Sequence, residues 1–251
     1  MSLRVWLPLN GSLENQGLDN ITVTNNGAAV DNNGKIGKCY SFNGNNDYIS
    51  LTGLSLYNIF KGGTQPFSIT MWVYHADATR AVLFGDYGLS GTIGFNIELS
   101  TTHNPRFYWN ATPDKNTSAT TMILNTWTHL AIIYNGSKIL FYKNGELTSD
   151  EYSGALVIKN KTSGDFYLGR DSRTGTTAFN GKLNDFRIYD HALSPQEIKK
   201  ISQGLVLHYP LNRRGFGQEN LYKGTKDFSG TWINSPYWTT SSETYKGFVV
   251  K

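Results

Sequence analysis

Apolar residues alternate with polar ones in short runs along this chain, and clusters of Gly, Asn, Asp and Ser separate the runs. A period of two puts every second side chain on one face, the pattern of a strand with one buried side. The runs predict strands at Val5–Leu9, Cys39–Phe42, Tyr48–Leu51, Phe67–Tyr74, Ala81–Gly85, Gly94–Leu99, Arg106–Asn110, Thr128–Tyr134, Lys138–Lys143, Phe166–Leu168 and Leu183–Tyr189. In Phe67–Tyr74, Phe67, Ile69, Met71 and Val73 share one face while Trp72 and Tyr74 take the other. Both faces are partly apolar, which suits a central strand covered on both sides. Asn135-Gly136 and Asn144-Gly145 each follow such a run, and Asn-Gly favours tight hairpins because both residues tolerate positive φ. One helix is predicted, at about 195–203. Ser194-Pro195-Gln196-Glu197 forms a capping box with Pro at the first helical position, Ile198 and Ile201 would dock on the sheet, and Gly204 stops the helix. The elements define an all-β, antiparallel sandwich that closes on this helix.

A length of 251 residues suits one large β-domain with a small extension. The 14% aromatic content and 26 glycines favour strands joined by many turns over long helices. The net charge is +4, but Lys and Arg are scattered without a basic stripe, so nucleic acid is not expected as a partner. Cys39 is the single cysteine, which excludes an internal disulfide and marks a small core residue on a strand. No apolar run reaches the roughly 18 residues of a membrane helix, so membrane insertion is not expected. Met1 leads directly into the strand pattern, with no signal-peptide pattern in view. An internal echo relates Leu3–Asn10 to Leu205–Asn212. The sandwich is therefore assigned to residues 1–204, and 205–251 to the start of a second module or a small β appendage. An integral edge of the first domain is the alternative for that tail.

Five stretches carry a family resemblance: LPLNGSLEN at 7–15, GKIGKCYSFNGNNDYISL at 34–51, FSITMWVY at 67–74, WTHLAIIYNGSKILFYKNGEL at 127–147 and GKLNDFRIYDHALSPQEI at 181–198. In this order the chain resembles the laminin-G-like branch of the concanavalin A-like lectin/glucanase folds. The resemblance implies a jelly-roll sandwich of two antiparallel sheets, one of them concave, that commonly binds carbohydrate and sometimes a calcium ion. The stretch beginning NLYKGTKDFSGTW resembles module starts in tail and adhesion proteins of phages that infect gut bacteria. That second likeness implies a virion tail, or a bacterial cell-surface or extracellular location, with neighbouring domains of the same protein as partners.

Fold does not fix chemistry, so the residues must be tested. Glycoside hydrolysis needs two carboxylates flanking the bond. In glucanases of this resemblance they lie in E-x-D-x-x-E on one strand, and no two acidic residues here are separated by two positions. No H-x-H or H-E-x-x-H occurs, and Gly88-Leu-Ser90-Gly91-Thr92 misses the nucleophile-elbow spacing. The expectation is a noncatalytic carbohydrate-binding or adhesion module. A structural spacer with protein partners is the runner-up, and a polysaccharide-cleaving enzyme ranks third.

Sugars stack their C–H faces on aromatics while planar polar groups hold their hydroxyls. Two places fit: Tyr108, Trp109 and Asn110 on one strand, and the paired loops carrying Asp86 and Tyr87, and Arg170, Asp171 and Arg173. The alternatives are a core role for Trp109, as for Trp72 and Trp127, and a simple Arg170–Asp171 pair across a turn. For the structural calcium ion, the resemblance implies Asp185 on the final strand with carbonyls near Asn10 and Gly44. An ion pair of Asp185 with a nearby base is the alternative.

Overall fold

Each alternating run pairs with neighbours that hide the same face. A computed structural model describes residues 2–63, 65–86, 94–109, 120–153, 156, 165–171, 177–204, 244–245 and 248–249. The first unit, Met1–Val206, contains the strands β1 (Leu3–Leu7), β2 (Thr22–Asn26), β3 (Ala29–Asp31), β4 (Cys39–Asn43), β5 (Tyr48–Thr52), β6 (Phe67–His75) and β7 (Ala81–Gly85). It continues with β8 (Phe95–Leu99), β9 (Pro105–Trp109), β10 (Trp127–Tyr134), β11 (Lys138–Lys143), β12 (Glu146–Ser153), β13 (Phe166–Leu168) and β14 (Asn180–Tyr189). Two short helices, α1 (Leu54–Phe60) and α2 (Pro195–Ser202), complete it. An eight-stranded sheet runs β12-β11-β10-β6-β14-β4-β3, with β1 also on β14, and a six-stranded sheet runs β2-β5-β13-β7-β8-β9. The ladders are antiparallel, so the jelly-roll expectation holds. The second unit, Leu207–Lys251, carries a two-stranded pairing of Thr244–Tyr245 with Phe248–Val249. The echo at Leu205–Asn212, and with it the reading of the tail as a new module, lies outside the described residues.

Between the sheets lies an aromatic layer. Phe67 of β6 meets Phe95 and Phe107, Phe95 and Phe107 stack at 5.0 Å, and Phe84 stacks on Phe166 at 5.5 Å. Offset and edge contacts of this kind add roughly 0.5–1.5 kcal/mol per pair beyond area burial. β6 is central, flanked by β10 and β14, and only Tyr74 along it escapes full burial. Its outer face explains why: Trp72 is 4% exposed under Lys35 Nζ, 4.7 Å from the ring centroid. Trp72 and Trp127 therefore do not sit between the sheets. They lie on the outer face of the eight-stranded sheet, where Trp127 is half-buried against Tyr74.

The hairpin expectations hold. Asn135 Oδ1 accepts the Ser137 and Lys138 N–H groups, and Asn144 and Gly145 take φ of 52° and 86°. A Cβ on Gly145 would strike the Ser202 hydroxyl, so this turn lets α2 approach closely. The capping box forms as predicted: Ser194 Oγ accepts the Glu197 N–H, and Glu197 Oε2 accepts the Ser194 N–H. Ile198 then packs with Ala131, Ile133 and Tyr142 on the outer face of β10 and β11. Three strands and α1 have no counterpart in the prediction. β2 and β3 are polar, largely exposed edges with no apolar alternation to read. α1 carries a legible signal, Leu56, Ile59 and Phe60 at helical spacing, all buried; Phe60 closes the core edge-on to Phe67 and Phe95.

Cys39 is fully buried, and desolvation pushes its thiol up to about 11. A thiolate is the reactive form. Aromatic disulfide reagents at pH 8 should therefore label the folded protein at least tenfold more slowly than the urea-unfolded chain, a ratio read from absorbance time courses.

Candidate functional site

Alternation leaves a second face on the six-stranded sheet. With Ile49, Leu51, Phe166, Phe95, Ile97, Phe107 and Trp109 turned into the core, the opposite face carries Tyr48, Ser50, Tyr167, Asn96, Glu98, Arg106 and Tyr108. Register aligns Ser50, Tyr167, Gly85, Asn96 and Tyr108 in one row across the strands. Asn96 and Glu98 are wholly buried, whereas Tyr48, Tyr167 and Tyr108 are half-buried. Solvent thus reaches the face at the tyrosines.

At one end of this row stands Arg170. β13 ends at Leu168, Gly169 turns with φ 91°, and Arg170 folds back over the sheet. Its guanidinium carbon lies 3.9 Å from the Tyr48 ring centroid and 5.2 Å from that of Tyr167, and the two rings meet edge-on at 5.7 Å. Arg170 Nε is buried and has no hydrogen-bond partner. A stack of this kind is worth about 0.5–1 kcal/mol at a partly exposed site. An unsatisfied buried donor costs about 1–3 kcal/mol. Two ring contacts and one unmet donor are thus of similar size, and the placement leaves the guanidinium donors unspent at little net gain in stability. Beside Tyr48, the exposed loop Asn43–Asp47 is tied by Asn43 Oδ1, which accepts the N–H groups of Asn45 and Asn46. This leaves a cluster of amides next to the tyrosines.

The predicted residues divide. Arg170 and Tyr108 lie on this face. The Arg170–Asp171 pair across the turn does not form, since Arg170 has no carboxylate partner among the described residues, while Asp171 is 3% exposed. Asp86 is also 3% exposed; its N–H donates to Phe95 O and its Oδ1 accepts the Phe95 N–H, which pins the start of β8. Trp109 must be corrected: it is 5% exposed, 5.8 Å from Phe107, and belongs to the core, because β9 alternates and Tyr108 takes the outer position. The groove expected between the two loops falls largely outside the described residues, and the described parts start from different points along the strands. β13 and β7 are antiparallel, with Tyr167 opposite Gly85 and Gly169 N–H donating to Leu83 O. Asp86 follows the end of β7 while Arg170 lies toward its start, roughly 13 Å away along the strands. Tyr87, Asn110 and Arg173 lie outside the described residues. Sequence reasoning missed Tyr48 and Tyr167, although each is a Tyr at the outward position of an alternating run.

A second half-buried aromatic pair, Tyr74 and Trp127, lies on the other sheet. Its cation is already matched: Lys182 stands over Tyr74 and pairs with Asp31 at 2.8 Å, which lowers the Asp31 carboxyl and raises the Lys182 ammonium. Glu98 is similarly occupied, between Arg80 at 2.8 Å and Arg106 at 3.4 Å.

The groups implied for a calcium ion have these protein partners. Asp185 sits at a bulge in β14 with φ 53°, and its two oxygens accept from Arg187 Nε and Nη2, both at 2.9 Å, and from Trp6 Nε1 at 2.8 Å. Three donors thus engage this carboxylate, and its pairing with Arg187 is the ion-pair alternative. Asn10 is exposed, and Gly44 donates its N–H to Phe179 O. The carbonyls that do converge are those of Pro8, Leu9 and Lys38, and they converge on Asn184 Nδ2 at 2.9, 3.4 and 3.0 Å. Asn184 Oδ1 accepts the Ile36 N–H at 2.7 Å. An amide thus gathers carbonyls of the kind that could bind a cation. Among the described residues, no group of three His, Cys, Asp or Glu side chains is placed to hold one.

Two antiparallel sheets with a tyrosine-and-arginine face define a lectin-like jelly-roll domain. Residues 43–199 match the laminin-G-type profile of the concanavalin A-like lectin/glucanases superfamily, and the chain belongs to that superfamily. Human pentraxin-related protein PTX3 is 25% identical over 164 residues, covering 61% of this chain and 43% of PTX3, so the chain spans under half of that relative. Domain 4 of AbnA, an extracellular arabinanase from Geobacillus stearothermophilus solved in complex with arabinotriose, superposes with a TM-score of 0.63 at 22% identity, covering 80% of this chain and 98% of that domain. The binding domain of Paraclostridial Mosquitocidal Protein 1 gives 0.61 at 17% identity, over 80% and 52%. At these identities the superpositions show the fold. No helix among the described residues is long and apolar enough to cross a membrane.

Proposed function

We propose that the first unit is a noncatalytic carbohydrate-binding module of a larger phage-tail or bacterial surface protein, acting outside the cell beside neighbouring domains of the same chain. Its ligand is a cell-surface or extracellular glycan held on the Tyr48–Tyr167–Arg170 face. The observation that carries this reading is Arg170 held over two half-buried tyrosines with its hydrogen-bonding capacity unused. Binding groups presented on loops over a rigid sheet suit a recognition surface. The arabinanase domain of the same fold is in complex with arabinotriose, which supports a saccharide as the ligand class. The acids near this face support binding without cleavage: Glu98 is neutralised by two arginines and Asp86 caps a backbone N–H.

A glycan array probed with the full chain tests this. Reproducible binding to at least one glycan class is expected, with Tyr167→Ala or Tyr48→Ala weakening it about tenfold, the loss of one stacking ring. Silence across a diverse array would favour the structural spacer, and release of reducing ends from a bound polysaccharide would favour an enzyme.

A further inference from the structure

Resting on that reading, we infer that the glycan is anionic, with a carboxylate or sulfate group docked on Arg170. Arg4, Arg80, Arg106 and Arg187 each meet a carboxylate, Asp19, Glu98, Glu98 and Asp185 respectively. Arg170 alone among the described arginines meets neither a carboxylate nor any other hydrogen-bond acceptor, although it is half-buried. The neighbouring acids do not supply one. Asp47 accepts the Asn43 N–H, and Asp165 accepts the Thr52 hydroxyl. The guanidinium is instead held by two tyrosine rings, which fix its position and consume none of its N–H donors. A planar cation pre-positioned on a low-dielectric aromatic floor, with its fork of donors unspent, is complementary to a planar or tetrahedral oxyanion. A neutral sugar hydroxyl would leave the charge unmatched. The exposed amides of Asn45 and Asn46 beside Tyr48 are placed to take the hydroxyls of the same residue.

The test uses the full chain and a paired set of polymers: a uronate polysaccharide, its carboxyl-reduced form, a sulfated polysaccharide and a neutral glucan. Affinity is read by biolayer interferometry at two salt concentrations. The uronate or the sulfated polymer should bind, carboxyl reduction should abolish binding of the former, and which of the two binds assigns the anion. Arg170→Gln should weaken binding roughly tenfold to a hundredfold, the loss of a charge-assisted pair, and Arg170→Lys should restore only part of it. Lys199→Gln, on α2 against the other sheet, removes the same charge and should change affinity less than twofold, which separates a site from general attraction to a chain of charge +4. Neutral glucan binding that weakens with Tyr167→Ala and ignores Arg170→Gln would overturn the anion and keep the module. Binding lost equally in both charge variants would reduce the effect to nonspecific attraction. No binding to any polymer would overturn both.

Discussion

Asn184→Ala is expected to lower the unfolding free energy by about 3–5 kcal/mol, the largest effect of any single polar substitution in the described sandwich. Asn184 is fully buried. Its amide ties Pro8 and Leu9, which follow β1, to Lys38, which precedes β4, and its oxygen takes the Ile36 N–H. Removing it takes this partner from the Lys38 carbonyl and the Ile36 N–H, at about 1–3 kcal/mol for each that finds no new one, while Pro8 O keeps the Asp185 N–H. The midpoint of urea unfolding should fall at unchanged m. Because the amide stands where a cation could have stood, EDTA should leave the wild-type melting temperature unchanged. Asn184→Asp should be destabilised about as much as Asn184→Ala, since it sets a carboxylate against three carbonyls. It should differ from the alanine variant in regaining stability with millimolar calcium, which favours clustered oxygen ligands. A wild-type protein that melts earlier in EDTA would show that a metal ion, not the amide, ties these segments.

Acid is expected to destabilise the sandwich well before its carboxylates titrate. His75 and His129 are fully buried, and desolvation lowers them to about 4 and about 3. The Arg187 charge pushes His129 further down, while Asp77, 3.6 Å from His75, opposes the shift there. Neither ring of these two has a hydrogen-bond partner for its nitrogens; His129 lies edge-on to Trp72 at 5.3 Å, and His75 edge-on to His103 at 5.6 Å. An unfolded histidine takes up a proton near pH 6.5. Between that value and the folded one, the unfolded chain binds more protons, so stability rises with pH across the window. The contribution is complete above about 6.5 and is lost as pH falls toward 4 for His75 and 3 for His129. At pH 5 the loss should be about 2 kcal/mol per histidine relative to pH 7. His129→Phe should be near neutral at pH 7, because it replaces an unbonded imidazole with an apolar ring, and it should remove about half of the loss at pH 5. Equal urea midpoints at pH 7 and pH 5 in the wild type would mean that both rings are solvated or already charged when folded. The lowered carboxyls of Asp77, Asp190 and Glu197 add their own losses only at lower pH, so the window near pH 5 isolates the histidines.

Strand alternation was legible wherever one face is buried and the other is not. It placed β7, β11 and β13 to the residue and β6 at the centre of its sheet. It failed for β2 and β3, whose polar edges bury almost nothing. It gave Trp72, Trp127 and Trp109 a face but not a layer, since a period of two cannot tell the space between sheets from the underside of one. The candidate site was legible only in part. Arg170 and Tyr108 could be read as outward groups on a strand and a loop. The stack of Arg170 on Tyr48 joins residues 122 positions apart, and no local pattern reports such a contact.

What the sequence determined by itself is the local geometry: which side of each strand faces oil, where Asn-Gly reverses the chain, and where Ser194 starts a helix. These follow from steric limits on φ and from burying one face, and both act over a few residues. Strand order and register were decided only in three dimensions. Antiparallel pairing of β13 with β7 carried Asp86 away from Arg170, and pairing of β5 with β13 brought Tyr48 beneath it. The bulge at Asp185 turned an expected metal ligand toward Arg187 and left Asn184 to gather the carbonyls. Those outcomes depend on how whole sheets share one core, a balance among contacts far apart in the chain that no single stretch encodes.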